Sequence, residues 1–162
     1  EKGDLLSQSI RKMKRGAGQQ LAAAFADALA NLLLGTEELP VAADMIVPVP
    51  SDQWRLERRG YSIAAIMSEV ISARMALPTC PKVLETVGEV PELRSIARGQ
   101  RMRSIAGKYR VAQPEYVDGR NILIVDDVIT SGATIKTIAA ELKRHGATTI
   151  SVIAIAHSEP SH

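Results

Sequence analysis

At 162 residues the chain is long enough for one substantial core, and its composition, 46% hydrophobic and 23% charged, is ordinary for a globular protein. A net charge of +2 is too small by itself to imply a nucleic-acid partner. The single cysteine, Cys80, excludes an internal disulfide and a cysteine-based zinc site, and it fits a cytoplasmic location.

Residues 1–18 are charged, with Arg11, Lys12, Lys14 and Arg15 clustered ahead of Gly16 and Gly18. They read as a solvated helix face, with anion binding as the alternative. From Gln19 the spacing predicts a helix with Leu21, Phe25, Leu29 and Leu32 on one face, ended by Gly35. Asp27 interrupts the most apolar stretch, Leu21 to Leu34, so no segment is expected to span a bilayer. No basic region followed by a hydrophobic run marks a secretory signal. A start at Glu1 is expected of a trimmed or incomplete N-terminus.

Met45 to Val49 reads as a short strand between prolines, and Ser51 to Tyr61 as a basic loop carrying Arg55, Arg58, Arg59 and Gly60. Ile63, Ile66, Met67, Val70 and Ile71 then form the stripe of an amphipathic helix that ends before Pro78. Lys82 to Val87 predicts another strand. Glu92 to Lys108 has almost no apolar periodicity and carries Arg94, Arg98, Arg101, Arg103 and Lys108 against Glu92 alone. It is read either as a mobile lid or as a solvated loop. Tyr109 to Ala112 reads as a returning strand, followed by a turn at Asp118-Gly119.

The most informative stretch is Asn121 to Lys136. Ile122 to Val125, apolar and β-branched, predicts a strand buried on both faces of a parallel sheet. Asp126 and Asp127 end that run, and Thr130-Ser131-Gly132-Ala133-Thr134 supplies small hydroxyl residues and one glycine. Ile135, Ile138, Ala139 and Leu142 follow at helical spacing, with Gly146 as the stop. A final strand is expected over Thr149 to Ala156, with Ile150, Val152, Ala154 and Ala156 on one face, and the tail from His157 is expected to be loose.

A loop entering a helix presents backbone N–H groups that have no partner within the helix, and the helix dipole adds positive potential there. Gly132 would let a ligand approach the backbone, and the hydroxyls of Thr130, Ser131 and Thr134 can donate to it. This makes a socket for a phosphate. Two carboxylates beside a phosphate need vicinal hydroxyls and a divalent cation between them, which together describes a ribose 5-phosphate. The alternative is a buried strand whose aspartates cap the next helix. Neither G-x-x-x-x-G-K-[ST] nor G-x-G-x-x-G is matched. In a parallel sheet the loops at the carboxyl ends of strands share one crevice, so Arg55, Arg58 and Arg59 should face the same cleft.

V-D-D-V-I-T-S-G-A-T resembles the phosphoribosyl pyrophosphate signature of the type I phosphoribosyltransferases. With V-P-V-P, the basic R-G-Y segment and R-x-R-S-I-A-G-K-Y, the chain from about Ile10 to Ala156 is similar to the ComF branch of that superfamily. Ser62 and Ser104 stand where the branch has asparagine, and the branch's cysteine-rich zinc segment has no counterpart in this sequence.

The resemblance implies an α/β fold with a mostly parallel central sheet, flanking helices and an arginine-rich lid. It also implies a charged segment over 1–18, a phosphoribosyltransferase-like domain over 19–157 and a tail over 158–162. The implied activity is magnesium-dependent displacement of pyrophosphate from phosphoribosyl pyrophosphate. Asp126 and Asp127 would hold the ribose hydroxyls and, through them, magnesium. Thr130 to Thr134, including Ser131, Gly132 and Ala133, would hold the 5-phosphate. Arg59, with Arg55, Arg58 and Gly60 of its loop, would neutralise the pyrophosphate under a lid led by Arg98, Arg101 and Arg103. The acceptor and the oligomeric state stay open, a homodimer included. The rival implied by the branch is a non-catalytic competence protein that binds single-stranded DNA, for which 3% aromatic residues offer few stacking platforms. Trp54 and Tyr61 stand equally for base stacking and for local packing. His145 reads as a helix-terminal residue favoured by the dipole, and nothing is assigned to His157 or His162.

Overall fold

A computed structural model describes residues 2–15, 18–35, 42–89 and 96–157. Gly16, the Glu92 to Arg94 end of the basic stretch and the tail from residue 158 lie outside the described residues. The elements run α1 (Lys2–Met13), α2 (Gly18–Gly35), β1 (Met45–Pro48), α3 (Gln53–Arg59), α4 (Ile63–Met75) and β2 (Leu84–Thr86). They continue as α5 (Arg101–Ser104), β3 (Tyr109–Val111), β4 (Asn121–Ile129), α6 (Ala133–Arg144) and β5 (Thr149–His157). Single 3₁₀ turns lie at Arg98–Gln100 and Pro114–Tyr116.

The central sheet is β1-β4-β5, all parallel, with Ile46 opposite Leu123 and Val125 opposite Ile153. The α/β class and parallel sheet expected from the sequence are what the chain adopts. β4 lies in the middle, and the pleat sends alternate side chains to opposite layers. Ile122 and Ile124 join one core with Val47, Ile138, Leu142 and the β2–β3 ribbon. Leu123 and Val125 join the other with Ile10, Met13, Ile46, Met67 and Ile71. Covered on both faces, β4 needs the continuous apolar run that its sequence has. It runs past that run, through both aspartates to Ile129, because β5 continues beside it: Asp126 pairs with Ala154 and Val128 with Ala156.

Several expectations are corrected. The basic segment after β1 is helical over Gln53–Arg59. In α2 the stripe fully buried is Ala22, Ala26 and Ala30, whose small side chains let α2 and α4 approach closely, while Leu32 is exposed. The first segment is more than a solvated face: α1 buries Ile10 and Met13 and turns Arg11 and Lys12 outward, with Arg15 exposed beyond its end. Part of the arginine-rich stretch is folded into a 3₁₀ turn and α5, and Ile105 behind it is fully buried. On β5 it is Ile153 that is buried, with Val152 exposed. β2 and β3 form an antiparallel ribbon of their own, Leu84 opposite Val111. No helix among the described residues is long and apolar enough to cross a membrane.

Candidate functional site

The corner where β4 hands over to α6 is built from the half-buried residues Asp126 to Gly132. The Asp127 N–H donates to Asp126 Oδ1 (2.8 Å) and the Val128 N–H to Asp127 Oδ1 (2.9 Å), so local backbone amides orient both carboxylates. Gly132 takes a left-handed conformation (φ +71°), and a Cβ built there would meet nothing within 4 Å. The first backbone bond of α6 runs from the Lys136 N–H to the Gly132 carbonyl (2.8 Å). The amides of Ala133, Thr134 and Ile135 precede it and have no partner within the helix. Ser131 Oγ is buried with no hydrogen-bond partner. An orphaned buried hydroxyl beside helix-terminal amides is what a phosphate oxygen would satisfy. Thr130 is half-buried at the same bend, and Ala133 is buried beneath it.

Alternation along β4 separates the two acids. Asp126 follows Ile122 and Ile124 onto the α6 side, and Asp127 follows Leu123 and Val125 onto the α1 side. Burial, and then the adjacent Asp127 charge, push the Asp126 carboxyl up to about 7. Tyr109 of β3 stands on that same side. Burial raises its phenol, the Thr134 side chain opposes this, and the Asp126 charge adds to the rise. Asp127 instead pairs with Lys14 at the end of α1, Nζ to Oδ2 3.0 Å. The Tyr61 hydroxyl donates to the Met13 carbonyl (2.6 Å) and fixes that end of α1 beside the acid.

α3 sorts its arginines by helical phase. Arg55 and Arg59 are half-buried, whereas Arg58 is exposed and lies over the Trp54 ring, 4.8 Å from its centroid. Burial lowers the Arg59 guanidinium, with the Asp127 charge opposing and the Arg55 charge adding. Arg55 and Arg59 are thus brought toward the acids; Arg58, expected in the cleft, is not. Gly60 ends α3, its N–H donating to the Leu56 carbonyl (2.7 Å). Of Trp54 and Tyr61, left open between stacking and packing, Trp54 meets Arg58 of its own helix, whereas the Tyr61 hydroxyl reaches the Met13 carbonyl at the end of α1.

Arg101 and Arg103 are not gathered at the acids. Arg101 Nε donates to the Ile96 carbonyl (3.0 Å) and Arg103 is exposed, with no ion pair from either to an aspartate among the described residues. Arg101 sits one turn before buried Ile105, so its side chain folds back on its own segment. Arg98 lies in the 3₁₀ turn. The two serines that replace asparagine have local roles. Ser62 caps α4 at the Ala65 N–H (3.3 Å) and accepts from the Ser51 hydroxyl (2.8 Å), and Ser104 donates to the Arg101 carbonyl (2.8 Å). Three residues near the site had not been singled out for it: Lys14, Tyr109 and the buried Asp52, whose carbonyl accepts from the Arg55 and Leu56 amides. Asp52 followed by Q-W-R-L-E-R-R and Gly60 is a capped-helix signal that could have been read.

The donor set fits a hard cation held mainly by substrate. Carboxylate oxygens are present at the cleft, yet no three His, Cys, Asp or Glu side chains among the described residues converge to cage a metal.

Against known proteins, residues 19–161 match the phosphoribosyl transferase domain model. Competence protein F of Haemophilus influenzae is 28% identical over 116 residues, covering 71% of this chain and 51% of that protein. DNA utilization protein YhgH of Escherichia coli K12 is 28% identical over 152 residues, covering 91% and 65%. The chain therefore spans about half to two thirds of these relatives. Among solved structures, the glutamine phosphoribosylpyrophosphate amidotransferase of Bacillus subtilis superposes with a TM-score of 0.57 at 19% identity, covering 85% of this chain and 27% of that one. Adenine phosphoribosyltransferase of Thermoanaerobacter pseudethanolicus gives 0.50 at 14% identity, covering 86% and 81%. With its sheet order, its acid pair and the matched domain, the chain belongs to the phosphoribosyl transferase domain family, in the ComF branch of the type I superfamily.

Proposed function

We propose that the chain binds phosphoribosyl pyrophosphate at the β4–α6 corner and transfers its phosphoribosyl group to a nucleophile. The observation that carries this is the make-up of the corner: two oriented carboxylates, a left-handed glycine and a buried, unpartnered Ser131 hydroxyl at a helix N-terminus. The amides and hydroxyls of Thr130 to Thr134 hold the 5-phosphate, and Asp126 and Asp127 accept from the ribose hydroxyls. Arg59 and Arg55 face the leaving pyrophosphate. The acceptor's lone pair forms the new bond at the anomeric carbon as the carbon–oxygen bond breaks. Pyrophosphate leaves with that electron pair, and the acceptor gives up a proton to solvent. Asp126 and Asp127 would hold magnesium only indirectly, through the substrate, and the ion would supply charge neutralisation at the leaving group. Closure of the Arg98–Arg103 segment would exclude water from an oxocarbenium-like transition state.

Pyrophosphate release, measured with phosphoribosyl pyrophosphate and magnesium across nucleobases, glutamine and ammonia, tests transfer and names the acceptor. Asp126→Asn and Asp127→Asn are each expected to slow release on the order of 10²–10³-fold. Unchanged phosphoribosyl pyrophosphate affinity in both variants would overturn the site.

The relatives' names, Competence protein F and DNA utilization protein, favour a second reading: a non-catalytic protein of the same fold that binds single-stranded DNA. Salt-sensitive affinity for single-stranded DNA without pyrophosphate release would select it.

A further inference from the structure

Lys14 precedes the family domain matched over 19–161, yet its ammonium lies 3.0 Å from Asp127 Oδ2. Its place is built rather than incidental. The Met13 side chain is fully buried, and the Met13 carbonyl accepts from the Tyr61 hydroxyl (2.6 Å). Gly18 presses on both groups so closely that a Cβ there would collide with the Met13 carbonyl oxygen. Tyr61 in turn follows Arg59 and Gly60 at the end of α3. The end of α1 is thus tied to the arginine-bearing helix and to the strand carrying the acids.

Resting on the reading of the corner as a phosphoribosyl pyrophosphate site, we propose that Lys14 is a substrate-binding residue that exchanges partners. In the free protein it neutralises Asp127; when ribose hydroxyls take that carboxylate, the ammonium turns to the pyrophosphate. The pair is only 24% and 20% exposed, so its release has a cost that a stronger partner must offset. A diphosphate carries more charge than one carboxylate, and the leaving group must lie beside Arg59, whose guanidinium feels the same Asp127. The flexible ammonium reaches both partners without movement of α1.

The test is calorimetric titration of the full chain with phosphoribosyl pyrophosphate, and separately with ribose 5-phosphate, which lacks the pyrophosphate. Wild type, Lys14→Met and Lys14→Arg are compared with Asp127→Asn, and thermal melting confirms that each variant is folded. Lys14→Met is expected to weaken phosphoribosyl pyrophosphate about tenfold and ribose 5-phosphate less than twofold, with Lys14→Arg close to wild type. Equal weakening of both ligands would make Lys14 a support for Asp127 and overturn the exchange. Unchanged binding of both ligands by Lys14→Met, with Asp127→Asn defective, would overturn the role of Lys14 and leave the site standing. Failure of wild type to bind phosphoribosyl pyrophosphate would overturn the site and this proposal together.

Discussion

Asp126 holds a proton more tightly in the folded chain than out of it, and the sign of the consequence follows. Its carboxyl is raised from 3.8 to about 7 by burial and by Asp127. Below about pH 4 folded and unfolded chains are both protonated there. Between that pH and about 7 the folded chain binds more protons, so stability falls as pH rises across the window. Asp126→Asn is therefore expected to stabilise the protein by on the order of 2 kcal/mol at pH 8, an advantage that vanishes near pH 3. Melting temperatures of both proteins over that range measure it; a pH-independent offset would assign the effect to packing. The two acids and the Thr130 to Thr134 loop were legible as one corner because they are neighbours in the chain. Lys14 and Tyr109 were not, since only the folded sheet brings them to β4, one from each side.

Elements with a strong apolar period were readable: β4, α4 and α6 lie where their patterns put them. α3 has no buried residue, so periodicity gives no sign of it, and only the flanking Asp52 and Gly60 could have marked it. α2 lies where expected, with Leu21, Phe25 and Leu29 packed against the core and Leu32 exposed. The fully buried centre of that face is Ala22, Ala26 and Ala30, where backbone proximity to α4 matters more than side-chain volume. The junction of α1 and α2 is the tightest backbone approach at the site. Gly18→Ala is expected to cost about 1–3 kcal/mol by overpacking against the Met13 carbonyl and Tyr61. Urea denaturation of the variant gives the value. Substitution at Gly35, where a Cβ meets nothing within 4 Å, serves as the neutral control.

For the whole molecule, the first helix is part of the core although the family match begins at residue 19. Removing residues 2–15 would strip Ile10 and Met13 from the layer that covers Leu123 and Val125. Each such side chain contributes about 1.5–3 kcal/mol, so the melting temperature should drop by about 5–15 °C. Differential scanning calorimetry of the shortened chain reports it. A drop under 2 °C would mean that α1 lies on the body without stabilising it. The parallel sheet was legible from strand–loop–helix order, while the layer that α1 completes depended on contacts between distant segments. One consequence of the pleat of β4 reaches furthest. Two consecutive acids look into separate compartments, one walled by β3 and α6, the other by α1 and α3. The two sides still communicate: the Asp127 charge raises the Asp126 carboxyl, so a substitution on either face of the sheet reaches both acids through one peptide bond.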